Sequence, residues 1–137
     1  MAQQTGPILA FDYGSKRIGV AICTPGDRPL PLTTVDASAN VWSQIHHLMG
    51  QYSPNLLVVG WPRGLDGQHT QQTHLAEEFA DELGSRYDKR VIMQDEVLSS
   101  EEAQKRIDPK LPIRKQREKI DAIAAQIILE DYLREAK

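Results

Sequence analysis

Cysteine occurs once, as Cys23, so no intramolecular disulfide can form and no set of thiolates is available to hold zinc. Its neighbours Ala21 and Ile22 are apolar, which predicts a buried, unreactive thiol. Long apolar runs are also missing. Stretches such as Leu56–Val59 fall far short of the roughly 20 residues that a membrane-spanning helix needs. Residues 1–7 are polar and uncharged, so neither a targeting segment nor a membrane partner is expected, and the chain reads as cytoplasmic. The four histidines show no metal-ligand spacing. His46 and His47 are adjacent, and His69 and His74 are five apart and read as lacking acidic or cysteine company, so all four are assigned to surface or packing. Internal repeats and linkers are absent.

What remains is an ordinary globular composition. The 137 residues are 40% hydrophobic and 26% charged, enough for one domain with one core and too few for two. The net charge of −3 argues against a polyanionic partner, but its distribution argues the other way. Residues 105–119 hold seven bases (Lys105, Arg106, Lys110, Arg114, Lys115, Arg117, Lys119) against Asp108 and Glu118, a local +5 that leaves −8 for the rest. Such a run can be a solvated face or a grip on phosphate.

Along the chain, residues 8–13 form an apolar run ending in Asp12-Tyr13-Gly14, followed after a short turn by residues 17–23, a hairpin of two buried strands. Residues 30–35 suit a third strand, kept at an edge by Pro29 and Pro31. Val41, Ile45, Leu48, Met49 and Tyr52 recur at helical spacing up to Gly50 and Pro54, which are expected to stop that helix. Residues 56–60 read as a strand, 70–87 as a helix with Leu75, Phe79 and Leu83 on one stripe, and 91–93 as a short strand running into Gln94-Asp95-Glu96. Ser99 with Glu102 predicts a capping box, residues 108–114 a mobile loop, and residues 120 to about 134 a last helix. The order implies an α/β fold: a mixed sheet of about five strands with helices on its faces.

Three acidic positions stand where a carboxylate is locally awkward. Asp12 ends one buried strand and Asp95-Glu96 ends another. Asp121 lies only about 20° from Ile128 on a helical wheel, at the border of an apolar face. Strand ends of an open α/β sheet form ligand crevices, and carboxylates gathered there repel one another unless a cation joins them. Mg²⁺ accepts one or two carboxylates with water and phosphate oxygens, and paired ions can drive in-line displacement at phosphorus. Each acid also has a plain alternative: Asp12 a turn residue, Asp95 or Glu96 a helix precap, Asp121 a partner of Arg117 one turn earlier. The trio together points to metal chemistry.

Four blocks carry a family resemblance. They are ILAFDYGSKRIGVA at residues 8–21; Val58-Val59-Gly60-x-Pro62 with Asp66-Gly67; Asp95-Glu96 followed by Ser99-Ser100-x-x-Ala103; and Lys119-Ile120-Asp121-Ala122-Ile123-Ala124-Ala125. In this order, over residues 8 to about 133, they resemble the YqgF/RuvX family of Holliday junction resolvase-like proteins and pre-16S rRNA nucleases. The resemblance implies a ribonuclease H-like fold and an acidic catalytic and metal-binding triad on Asp12, on Glu96 or its neighbour Asp95, and on Asp121. Strand alternation puts Asp95 and Glu96 on opposite faces, and Glu96 is preferred as the ligand. Val97 stands where the family commonly has arginine. Arg63 stands where an apolar residue is expected, and reads as a solvated loop arginine.

The implied protein is a Mg²⁺- or Mn²⁺-dependent endonuclease on structured nucleic acid, either pre-16S rRNA or branched DNA. Ser15, Lys16 and Arg17 are candidates for the scissile phosphate, and Arg114, Lys115, Arg117 and Lys119 for the substrate backbone, on a flap that orders on binding. A non-catalytic RNA-binding module and an actin-like ATPase-type phosphate-binding domain are the competing classes. A junction resolvase would need a homodimer, whereas an RNA end-processing nuclease would not, so monomer and homodimer both stay open.

Overall fold

The computed structural model describes residues 5–63, 67–96 and 99–136. Asp66, Val97 and the capping side chain expected at Ser99 lie outside the described residues.

Strands β1 (Ile8–Tyr13) and β2 (Arg17–Cys23) form the expected antiparallel hairpin, with Asp12 paired to Gly19. Strand β3 (Leu30–Asp36) adds antiparallel to β2 at the edge where its prolines place it. Helix α1 (Val41–Tyr52) crosses to β4 (Leu56–Pro62), and helix α2 (Gln71–Tyr87) to β5 (Arg90–Glu96), both strands running parallel to β1. Helices α3 (Ser99–Lys105) and α4 (Ile113–Glu135) follow. The five strands are ordered β3-β2-β1-β4-β5.

Alternation along the strands divides the single core expected from the sequence into two apolar layers, one on each face of the sheet. Leu9, Phe11, Leu57 and Val59 point to one face, where Ile45, Leu48 and Met49 of α1 and Phe79, Ala80 and Leu83 of α2 cover them. Ile8, Ala10 and Val58 point to the other face, against Ala125, Ile128 and Leu129 of α4. Helix α3 packs Ala103 on Ala124 and Ile127 of α4. The Cys23 thiol is buried, as its neighbours predicted. No helix among the described residues is long and apolar enough to cross a membrane.

Several boundaries differ from the sequence reading; β4, read as residues 56–60, runs on through Trp61 and Pro62. Helix α1 runs through Gly50 and ends at Ser53, whose left-handed backbone (φ 45°) closes the last turn on the Met49 carbonyl. Strand β5 is longer than residues 91–93 and includes Asp95 and Glu96. Helix α4 starts at Ile113, seven residues before its apolar periodicity begins. The preceding Pro112 is extended (φ −55°, ψ 146°) and marks the boundary, and Gln116 Nε2 donates to the carbonyls of Pro109 (3.2 Å) and Leu111 (2.6 Å), bracing the entry. The stretch expected to be a flap is instead a short braced turn and two helical turns, and Arg114, Lys115, Arg117 and Lys119 lie on the same helix as Asp121.

Candidate active site

The period-2 rule decides which acids can meet. Asp12 continues the Ile8, Ala10 series on the α4 face of β1. On β5, Ile92 packs into the α4-side core, so Gln94 and Glu96 share that face, while Asp95 points to the other with Met93. Asp121 comes down on the same face from α4. Asp12, Glu96 and Asp121 line one cavity of about 260 Å³, together with Tyr13, Gly14, Arg17, Pro62 and Gln72.

Two glycines allow this approach. Gly19 lies beside Asp12 on β2, and a Cβ there would overlap the carbonyl oxygen of Asp121. Gly60 lies on β4 between the strands of Asp12 and Glu96, and a Cβ there would be 2.9 Å from Glu96 Oε2 and 2.6 Å from Ile128 Cδ1. The bare backbone at Gly19 lets α4 dock, and at Gly60 it lets Glu96 lean across the sheet. Neither was assigned a role from the sequence. The available signal was a glycine inside a strand, which often marks close backbone approach.

The carboxyls are crowded. Burial, then the charge and the hydrogen bond of Glu96, then the charge of Asp121 hold the Asp12 carboxyl well above the ordinary value of 3.8. Asp121 is drawn to a cation already in the site: Arg17 Nε donates to its Oδ2 at 2.5 Å. The partner considered from the sequence, Arg117, does not hold it. An all-oxygen set of this kind suits a hard divalent cation, which would relieve the crowding that burial and the neighbouring Glu96 and Asp121 charges impose on Asp12.

The other candidates are dispersed. Asp95 is exposed and forms a two-pronged pair with Arg63, Nε to Oδ1 at 2.8 Å and Nη2 to Oδ2 at 2.7 Å. Arg63 also lies 4.3 Å over the Trp61 ring, so it is a fixed structural partner and not the solvated loop arginine expected. Lys16 and Lys119 line a larger groove of about 1140 Å³ between β3 and the α3–α4 turn, which Arg17 joins to the acidic cavity. Arg117 lies beside a smaller hollow against α3, and Ser15, Arg114 and Lys115 are exposed and line none of these cavities. The histidine reading also needs correction. His69 and His74 do have acidic company: helix α2 brings Glu77 one turn from His74, 3.3 Å between Nδ1 and Oε1.

The family model described as "RuvX: Holliday junction resolvase" matches residues 6–135. The chain belongs to this family. A RuvX relative from Methylobacillus flagellatus, named "Putative pre-16S rRNA nuclease", is 41% identical over 96% of this chain and 92% of its own length. One of the same name from Histophilus somni is 36% identical over 91% and 92%. Among solved structures, Thermus thermophilus RuvC in complex with a Holliday junction substrate superposes with a TM-score of 0.56 at 12% identity, covering 94% of this chain and 96% of that one. The yeast mitochondrial Holliday junction resolvase Ydc2 gives 0.56 at 11% identity, covering 98% and 80%. The fold is therefore ribonuclease H-like, and this RuvX chain is a nuclease.

Proposed function

We propose that this nuclease is a Mg²⁺- or Mn²⁺-dependent endonuclease that processes the 5′ end of pre-16S rRNA in the cytoplasm. The observation that carries the reading is the cavity where Asp12, Glu96 and Asp121 converge from three separate elements. These three carboxylates would hold the metal. When bound, it supplies Lewis acidity at the phosphate and lowers the pKa of attacking water.

The chain's own groups supply the rest. Asp12, when ionised, would be an anionic ligand at the half-buried end of β1. Arg17, which meets Asp121 through Nε, would leave it for a phosphate oxygen, since a guanidinium binds carboxylate and phosphate alike. Arg114, Lys115, Arg117 and Lys119 stack along the first turns of α4, where the helix dipole is positive and no acid stands in the first turn. Bases there are unfavourable alone, and a polyanionic backbone offsets that cost.

Pre-16S rRNA is favoured as substrate by the name its RuvX relatives carry. Four-way DNA junctions are the second reading, favoured by the junction-bound RuvC structure, and would require two copies of the chain acting on a two-fold substrate. Cleavage of labelled pre-16S fragments and of four-way junctions, with Mg²⁺, Mn²⁺ or EDTA, separates the two. Metal-dependent cutting of the RNA that Asp12→Asn and Asp121→Asn abolish is the expected result. Cutting that survives both substitutions refutes the site, and binding without cutting by the unsubstituted protein refutes the enzyme.

A further inference from the structure

We propose that His69, His74 and Glu77 form a second cation site, selective for ions of the Zn²⁺ class. Among the described residues this is the group of three whose ligand atoms all lie within 4.8 Å of one another. The acidic trio is more open, with Asp121 held toward Arg17.

The three side chains are fixed to one another and to the sheet through Trp61. The indole Nε1 of Trp61 donates to Glu77 Oε2 at 3.1 Å, which leaves Oε1 turned to His74. His69 is tied by a backbone bridge to Arg63 and meets the Trp61 ring edge-on, with centroids 5.4 Å apart. The His69 and His74 rings stand 5.8 Å apart. Outer hydrogen bonds of the kind Trp61 makes orient ligands and raise metal affinity. The arrangement is therefore built before an ion arrives.

Donor chemistry separates this site from the catalytic one. Two imidazole nitrogens and a carboxylate suit Zn²⁺, Co²⁺, Ni²⁺ or Cu²⁺, whereas an all-oxygen set suits Mg²⁺ or Mn²⁺. Both histidines are exposed, so water can complete the coordination sphere. Pro62 and Gln72 line the acidic cavity, whereas Trp61, His69, His74 and Glu77 do not, and alternation along β4 turns Trp61 to the face opposite Pro62. An ion on the histidine side would clamp this connection from outside the catalytic cavity.

Zn²⁺ and Co²⁺ titrations of tag-free full-length protein, read by calorimetry and by the visible bands of bound Co²⁺, test the assignment. One ion per chain should bind to the wild type and equally to the Asp12→Asn/Asp121→Asn double variant. His69→Ala and His74→Ala should lose it, and Trp61→Phe should bind about tenfold more weakly. His74 is exposed on a helix, so unchanged circular dichroism will show that its variant folds. Zn²⁺ binding that persists in the histidine variants and disappears in the double variant would overturn the proposal by placing the ion on the acidic trio, and absence of binding to the wild type would also overturn it.

Discussion

Arg17 and Asp121 are 104 positions apart in the chain and 2.5 Å apart in space. The pair joins the start of β2 to the middle of α4 and gives the acidic cavity an internal cation. An arginine in that position neutralises in part what a metal would neutralise more fully. Arg17→Ala should therefore destabilise the metal-free protein by about 1 kcal/mol, because the pair is partly exposed and its loss leaves Asp121 facing two other acids. Adding Mg²⁺ or Mn²⁺ should shrink that difference. Thermal melts with EDTA and with metal measure both; an equal loss in the two conditions would show that Arg17 and the ion do not share Asp121.

The raised Asp12 carboxyl sets a pH dependence. Its native form holds a proton more tightly than the unfolded chain does. The stability this contributes is complete below the ordinary value of 3.8 and is lost as pH rises through the native value, at no more than about 1.4 kcal/mol per pH unit. In EDTA the wild type should lose stability as pH rises above 3.8, and Asp12→Asn, which carries no charge, should lose less over the same rise. Metal affinity should rise over the same interval, since ion and proton compete for one carboxylate. A wild-type profile parallel to that of Asp12→Asn would remove Asp12 as the crowded group.

Adjacent acids give a sharp contrast. Glu96 lines the cavity and Asp95 is paired with Arg63 on the other face. Glu96→Gln should lower the cleavage rate by at least about a hundredfold, on the scale of losing one preorganised electrostatic contact at a reacting phosphate. Asp95→Asn should leave the rate within about twofold and cost less than about 1 kcal/mol of stability, as exposed pairs do. Equal losses in the two variants would contradict the alternation argument.

Much of this was legible because it rests on period and position. The hairpin, the edge placement of β3 beside its prolines and the opposite facing of Asp95 and Glu96 follow from residue types and the two-residue repeat. The start of α4 was not legible, because its first turns, apart from the exposed Ile113, are polar and are held by Gln116 and the Pro109 and Leu111 carbonyls, contacts without apolar periodicity. The partners of Asp121 and Arg63 were not legible either. Asp121 was matched with Arg117 nearby in sequence and Arg63 was read as solvated, whereas the fold supplied Arg17 and Asp95 from other strands. His69, His74 and Glu77 escaped because ligand spacing was judged along the chain, while a loop residue and a helix face meet only once Trp61 places them.

Two glycines separate stability from function. A Cβ at Gly19 meets the backbone of Asp121, which cannot move without shifting α4, whereas a Cβ at Gly60 meets only the far ends of Ile128 and Glu96. Gly19→Ala should cost about 3 kcal/mol, at the upper end of ordinary overpacking. Gly60→Ala should cost about 1 kcal/mol or less yet displace Glu96, so cleavage falls while the fold persists. Melting temperature and cleavage rate measured side by side decide this; a Gly60→Ala protein with full activity would show that Glu96 needs no room across β4.

The basic residues of α4 should act through charge rather than chemistry. Arg114, Lys115, Arg117 and Lys119 are exposed, and only Lys119 lines the large groove that Arg17 joins to the acidic cavity. If each neutralises one phosphate, replacing it by alanine should weaken substrate binding and flatten the dependence of log affinity on log salt by about one. The cleavage rate at saturating substrate should not change, because none of the four reaches the carboxylate cavity. Lys119→Ala should show the largest loss, since its groove leads to that cavity. Affinities measured across a salt series, with single-turnover rates on the same variants, distinguish this from a catalytic role. A variant that loses rate but keeps its salt slope would place that base at the reacting phosphate, whereas a variant that changes neither would remove it from the substrate surface.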